Sequence, residues 1–390
     1  MPHCIYCGKV APSADFDNEH VISRAISGQG TNWTLVDRVC GRCNKRFSKY
    51  EAHMFQQSVE ALARAFNGPI GRGKSVNGYS QPMKLNHLYM VEIGDPLMYE
   101  GGLSLPGNFY LRPQLIEKLD GTCAALVTNR SDIPLFERAL SDIFSQKVDG
   151  LTLERQGRDF IVAPLEYKGS SLVYKPDEVR SEPTNTWLRD FPDSSRVPTG
   201  KKPTARFSMR EDGTAFVRAT DKLTALNFMN TVLNQGQSCE STQRPQANVG
   251  TQEFHLLHTI EIAKVQATVL KTGLNLVCYL YGEQVAQNSA FDHLRALVLA
   301  DPLDSAALNS VCMQTIDTSR VPLAPTGESQ HRFMIDTVGS NVLLRMRLYN
   351  HMCYTAILSN AALTLGAPLN PQRVVLDYQA GGLRSVPVWP

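Results

Sequence analysis

The sequence predicts an α+β fold, with a small cysteine-rich N-terminal module followed by a larger mixed α+β region. Three observations carry that expectation. Two Cys-x-x-Cys pairs, Cys4/Cys7 and Cys40/Cys43, stand within the first 43 residues. Beyond them short strand-like runs and helical patterns are mixed, with no internal repeat. The composition, 43% hydrophobic and 19% charged, belongs to a globular chain and excludes disordered and low-complexity classes. At 390 residues, two or three domains are expected, with boundaries placed at 1–75, 76–233 and 253–390.

Charge and hydropathy narrow the function classes. Lys and Arg total 39 against 37 Asp and Glu, so any nucleic-acid contact must come from a local patch. No run of eighteen apolar residues exists, and the most apolar stretch, Leu274 to Tyr281, is flanked by Gly273 and Gly282. No membrane contact is expected. The start, Met1-Pro2-His3-Cys4, lacks the basic end and apolar core of a secretory signal, which points to the cytoplasm.

The elements follow in order. A helix is expected from Asn44 to Phe66, stopping at Asn67-Gly68-Pro69, where Gly and Pro cannot continue it. Gly71-Arg72-Gly73-Lys74-Ser75 reads as a basic turn and boundary. Leu88–Ile93 reads as a strand. Asp132 is placed to cap a helix whose Phe136, Leu140, Ile143 and Phe144 share a face. Phe160–Ala163 reads as a strand, Glu178–Pro203 as an irregular loop and Asn234–Gln252 as a polar linker. The longest helical pattern runs from Glu253 to Tyr281, and a shorter one from Phe291 to Leu299. At the C-terminal end Phe333-Met334-Ile335, the turn Gly339-Ser340-Asn341, and Leu344, Met346 and Leu348 alternating with Arg345 and Arg347 predict a hairpin.

The cysteines divide into two kinds. Cys123, Cys239, Cys278, Cys312 and Cys353 are scattered singly and read as small buried hydrophobes. The two pairs suit one zinc ion, because a two-residue spacer lets both thiolates of a pair turn toward the same metal at about 2.3 Å. Gly8 and Gly41 supply the glycines that such tight turns want. Bound zinc would also stabilise a unit too small to bury a core unaided. The 32 residues between the pairs leave room for a folded insertion. That insertion holds Asp15-Phe16-Asp17-Asn18-Glu19-His20-Val21-Ile22, and the second pair runs directly into Asn44.

Cys4-Ile5-Tyr6-Cys7-Gly8, Asn18-Glu19-His20-Val21-Ile22 and Val39-Cys40-Gly41-Arg42-Cys43-Asn44, followed by Phe47-Ser48 and Glu51, resemble the HNH endonuclease family with its ββα-metal, treble-clef-like nuclease core. The likeness covers about the first sixty residues. Gly71-Arg72-Gly73-Lys74, Lys271-Thr272-Gly273-Leu274-Asn275 and Ser289-Ala290-Phe291-Asp292 are similar to one bacterial and phage branch of that family. The resemblance implies a metal-dependent endonuclease. His20 would be the general base, with Glu19 and Asn44 at the positions that hold a catalytic magnesium or other divalent ion. The products would carry a 5′-phosphate and a 3′-hydroxyl.

The chain also departs from the family pattern. Adjacent strand residues face opposite sides, so Glu19 and His20 converge only if the strand ends or bulges there. The family's middle asparagine falls on Leu35 or Val36, with Asn32 and Thr34 as nearby substitutes, and its second histidine is Asn44. Glu51, seven residues after Asn44, shares its helix face and can reach the metal or pair with a lysine. His53 is read as structural.

Arg38, Arg42, Lys45, Arg46 and Lys49 fall within twelve residues containing no acid, around the start of a helix whose N-terminus attracts anions. They are the candidate contacts to the DNA backbone, giving affinity without sequence preference; RNA is not excluded as substrate. The rival expectation is a zinc module that binds nucleic acid or protein without cutting. His255 and His258, three apart on the expected helix, have no cysteine or carboxylate cluster beside them. Lys271 and Asn275 share a helix face and are read as packing or solvent-facing residues in preference to a nucleic-acid contact.

Overall fold

The computed structural model describes residues 1–27, 33–67, 87–92, 95–104, 108–126, 138, 141, 145, 148–191, 195, 197–209, 214–235, 240–242, 252–257, 260–315, 329–349, 352–378 and 382–386. The fold is mixed α+β, as the sequence predicts. The Asp132 helix with Phe136, Leu140, Ile143 and Phe144, and the Gly71–Ser75 turn, lie outside the described residues.

The N-terminal segment begins with a turn in which the Gly8 N–H donates to the Cys4 carbonyl at 3.0 Å. Gly8 sits at φ +69°, a conformation open to glycine without strain. Strand β1 (Phe16–His20) pairs antiparallel with β2 (Thr34–Cys40), and helices α1 (Gly41–Gln56) and α2 (Val59–Asn67) follow directly. The single helix expected over 44–66 is therefore two. Gln57 closes α1 through its N–H to the His53 carbonyl, and Ser58 Oγ accepts the Glu60 N–H at 3.1 Å. A serine that caps the next turn ends one helix and starts another, a local effect that the apolar period runs across.

Two other expectations change. The pattern over 253–281 is a strand, Gln252–Leu257, paired with His87–Glu92, followed by a helix, α3 (Ile262–Tyr281). In the sequence this short alternating run merges with the helical period next to it. Gly273 does not interrupt α3: a Cβ there would lie 2.5 Å from Leu358, so the glycine lets the helix sit close on the sheet. Gly282, at φ +95°, ends it. The stretch 178–203 holds two strands, Glu178–Arg180 and Thr186–Arg189, too short to show a period between their prolines. Thr186–Arg189 lies inside the large sheet, parallel to Ala215–Arg218 and to Gly150–Gln156. Of the single cysteines, Cys123, Cys278, Cys312 and Cys353 are buried, and Cys239 lies outside the described residues.

Strands at the C-terminal end form a six-stranded sheet around the expected hairpin, Gln330–Val338 with Asn341–Leu348. Val342, Leu344, Met346 and Leu348 are buried along the hairpin's second strand, and Arg347, expected on the opposite face, is buried as well. The decisive feature for function is where the core lies. One continuous apolar cluster joins Ile5, Val21, Ile22, Val39, Phe47 and Met54 of the N-terminal segment to Leu270, Leu274 and Val277 of α3 and to Phe333, Leu344 and Tyr354 of the sheet. The region between has separate clusters, the larger one around Leu115, Leu151, Phe207, Val217 and Phe228. Helix α3 thus packs between the cysteine-bearing segment and the C-terminal sheet.

His331 in that sheet is fully buried against Tyr349 and Tyr378, and burial lowers its pKa from 6.5 to about 3. The unfolded chain therefore takes up a proton below about pH 6.5 that the folded chain refuses until about pH 3. Stability rises with pH across that window and is lost as pH falls through it. The melting temperature should drop between pH 7 and pH 5, and drop less in His331→Gln.

Candidate active site

Cys4, Cys7, Cys40 and Cys43 converge, their sulfurs all within 4.8 Å of one another. The Cys7 and Cys40 sulfurs are 3.7 Å apart, close to the edge of about 3.8 Å of a tetrahedron with Zn–S bonds of about 2.3 Å. The Cys40 N–H points at Cys4 Sγ at 3.5 Å, a charge-assisted contact for a thiolate. A hydrogen bond from Cys43 holds the Cys4 thiol down at about 4, while the same contact pushes Cys43 up. Four soft donors, one pair on the turn at Gly8 and the other across the junction of β2 and α1, where Gly41 is helical rather than in a tight turn, fit zinc. Cys40 ends β2 and Cys43 lies in the first turn of α1, so an ion held there ties hairpin to helix.

The hairpin register shifts between Asp17 and Glu19, and β1 ends at His20. The bulge changes which residues share a side. Glu19 is buried, Asp17 and Asn18 are exposed, and His20 is half-buried. On the exposed side the Asn44 Nδ2 donates to Asp17 Oδ2 at 3.0 Å. On the buried side Glu19 meets α3, where its Oε1 accepts from Lys271 Nζ and, at 3.3 Å, from Asn275 Nδ2. Lys271 Nζ also donates to Glu51 Oε1 at 2.6 Å, and Glu51 Oε2 accepts from Ser23 Oγ at 3.2 Å. Asn275 Nδ2 reaches the His20 carbonyl at 3.1 Å, and Asn275 Oδ1 accepts the Tyr6 hydroxyl at 2.6 Å.

Electrostatics explain the arrangement. Burial pushes the Glu19 carboxyl above its usual range, with Lys271 pulling the other way. Burial also works against a charged Lys271, but Glu51 and Glu19 outweigh it and hold the ammonium above its ordinary value. Removing one partner from such a cluster strands the others in low dielectric.

The remaining candidates are spread around this centre. Arg42, Lys45 and Lys49 are exposed on α1. Arg38 is paired with Glu283 at 3.0 Å, and Arg46 donates to the Leu299 carbonyl and lies 3.4 Å from Asp301. His53 Nε2 accepts the Glu261 N–H at 2.9 Å just before α3, the structural role expected of it. Thr34 stands opposite His20 in the ladder, Leu35 is buried and Val36 exposed; Asn32 lies outside the described residues. Trp33 stacks on Tyr279 of α3 at 4.4 Å. His255 is on a strand, so a helical spacing to His258, outside the described residues, does not apply.

Residues 4–59 match the HNH endonuclease family. The HNH segment so defined contains both cysteine turns, the hairpin and α1, and the match supports nuclease activity and nucleic-acid binding. Comparison with curated proteins and with solved structures found no match. Among the described residues no helix is long and apolar enough to cross a membrane. Sequence reasoning assigns no role to Asp17, and it leaves Lys271 and Asn275 outside the site. Their signal is a lysine and an asparagine four residues apart in a stretch, 265–278, that holds no other charged residue.

Proposed function

We propose that the HNH segment hydrolyses phosphodiester bonds in DNA, with His20 as general base. The observation that carries this reading is the end of β1. The ladder bulges on β2 between Val39 and Leu35, opposite Asp17 to Glu19, and β1 stops at His20; Asn44 at the basic start of α1 bonds Asp17, so the strand end and the helix start adjoin. His20 takes a proton from water, the water oxygen bonds to phosphorus in line, and the P–O3′ bond breaks, the leaving oxygen taking a proton from solvent water. The products carry a 5′-phosphate and a 3′-hydroxyl.

Glu19 and Asn44 are the proposed ligands of a catalytic divalent cation, magnesium by preference. Their donor atoms suit it: Lys271 and Asn275 both bond Glu19 through Oε1, leaving Oε2, and Asn44 donates through Nδ2, leaving its amide oxygen. A cation held there would offset charge on the phosphoryl oxygens and the leaving oxygen. Zinc in the four-thiolate cluster would hold hairpin and helix together and would take no part in the chemistry.

Arg42, Lys45 and Lys49 are the proposed phosphate contacts. Replacing all three with Gln should weaken binding about equally on unrelated DNA sequences. The dependence of log affinity on log salt should become shallower by about 0.9 for each duplex phosphate that is no longer neutralised. An unchanged slope would remove α1 from the DNA surface. Substrate class is tested by incubating DNA and RNA of the same sequence with the protein and magnesium. Faster cleavage of DNA is expected, and cleavage of RNA alone would reassign the substrate.

A further inference from the structure

We infer that Lys271 and Asn275 of α3 are positioning residues of the nuclease site, orienting the Glu19 carboxylate and the end of the His20 strand; this rests on the nuclease reading above. Lys271 is 1% exposed and Asn275 fully buried, yet both lie in a chain segment more than 200 residues away from the HNH segment. Each touches the same carboxylate oxygen, Glu19 Oε1. Asn275 also holds the His20 carbonyl, so one side chain ties the proposed metal ligand and the backbone of the proposed base to a single rigid helix. Tyr6, inside the first cysteine turn, fixes that asparagine in turn and donates to the Lys271 carbonyl at 3.0 Å.

The charge balance separates this role from a simple buried ion pair. Two carboxyl groups, Glu19 and Glu51, share the one ammonium of Lys271. Lys271 and Ser23 occupy both Glu51 oxygens, whereas Glu19 keeps Oε2 for a cation. A ligand carboxylate held by outer hydrogen bonds presents its remaining oxygen in one orientation. Removing such partners typically costs about 10–100-fold in metal affinity or activity. Helix α3 is thereby part of the active unit.

The test is manganese binding to the intact chain without substrate, read by electron paramagnetic resonance. Lys271→Met/Glu51→Gln removes one basic and one acidic group together and leaves Glu19 its Asn275 hydrogen bond, and Asn275→Ala changes no charge. Each should weaken manganese binding about 10–100-fold with zinc content retained. If either variant fails to fold, seen as zinc release or a collapsed melting transition, the other decides. Wild-type affinity in the folded variants would reduce the cluster to a structural ion pair. Tighter binding in the double variant would mean that the ammonium occupies the metal's own place. Both results overturn the inference. Manganese bound by the wild type and weakened in the variants, but with no cleavage, would count against the nuclease reading alone.

Discussion

Cys40→Ser is expected to release the zinc, from about one ion per chain to almost none, and to abolish cleavage. Cys40 is the last residue of β2 and the residue that precedes α1, and its N–H also meets Cys4 Sγ. Serine offers a hard, protonated oxygen where a soft thiolate is wanted, so the four-donor set drops to three. In isolated zinc-binding peptides the ion contributes roughly 10–16 kcal/mol. Here the HNH segment shares its core with α3 and the C-terminal sheet, so the expected outcome is local. The turns at Cys4 and Cys40 should loosen and expose α1 to proteolysis, while the sheet keeps its fold. Elemental analysis measures the first effect directly. Zinc-free protein with full activity would show that the metal is dispensable.

His20→Ala is expected to reduce cleavage by about 10²–10⁴-fold, the usual contribution of a positioned base. Zinc content and DNA affinity should stay close to those of the wild type. The separation is possible because the ties that hold this strand end run through Glu19 and through the His20 carbonyl, which alanine keeps. Cleavage retained at the wild-type rate would assign proton transfer to another group.

The four-cysteine cluster of the candidate site is legible in the sequence because its signals are local. Cys4, Cys7, Cys40 and Cys43 announce themselves by spacing, and Glu19-His20 and Asn44 by their place between and after the pairs. The bulge opposite Asp17 to Glu19 lies beside the candidate site, but no residue in the run announces it; it arises in the pairing of β1 with β2. Lys271 and Asn275 read as packing or solvent-facing residues, and they are buried. Their partners are Glu19, Glu51 and Tyr6, more than 200 residues away, and one chain's periodicity carries no record of such pairs. The fold class is legible from mixed patterns, and the C-terminal hairpin from its alternation and glycine turn. The strands at Glu178–Arg180, Thr186–Arg189 and Gln252–Leu257 are not. They are three to six residues long and owe their conformation to neighbours in a sheet, where tertiary pairing outweighs weak local preference.

That this chain cuts nucleic acid through a metal-dependent site at the end of β1 is tested most directly on supercoiled plasmid. The purified full chain is incubated with it, in magnesium or in a chelator, beside His20→Ala. Nicked or linear DNA is expected with wild type and magnesium, and intact plasmid in the other arms. Intact plasmid with the zinc-loaded wild type and magnesium, together with tight DNA binding, would contradict cleavage and leave a zinc-bearing nucleic-acid binder.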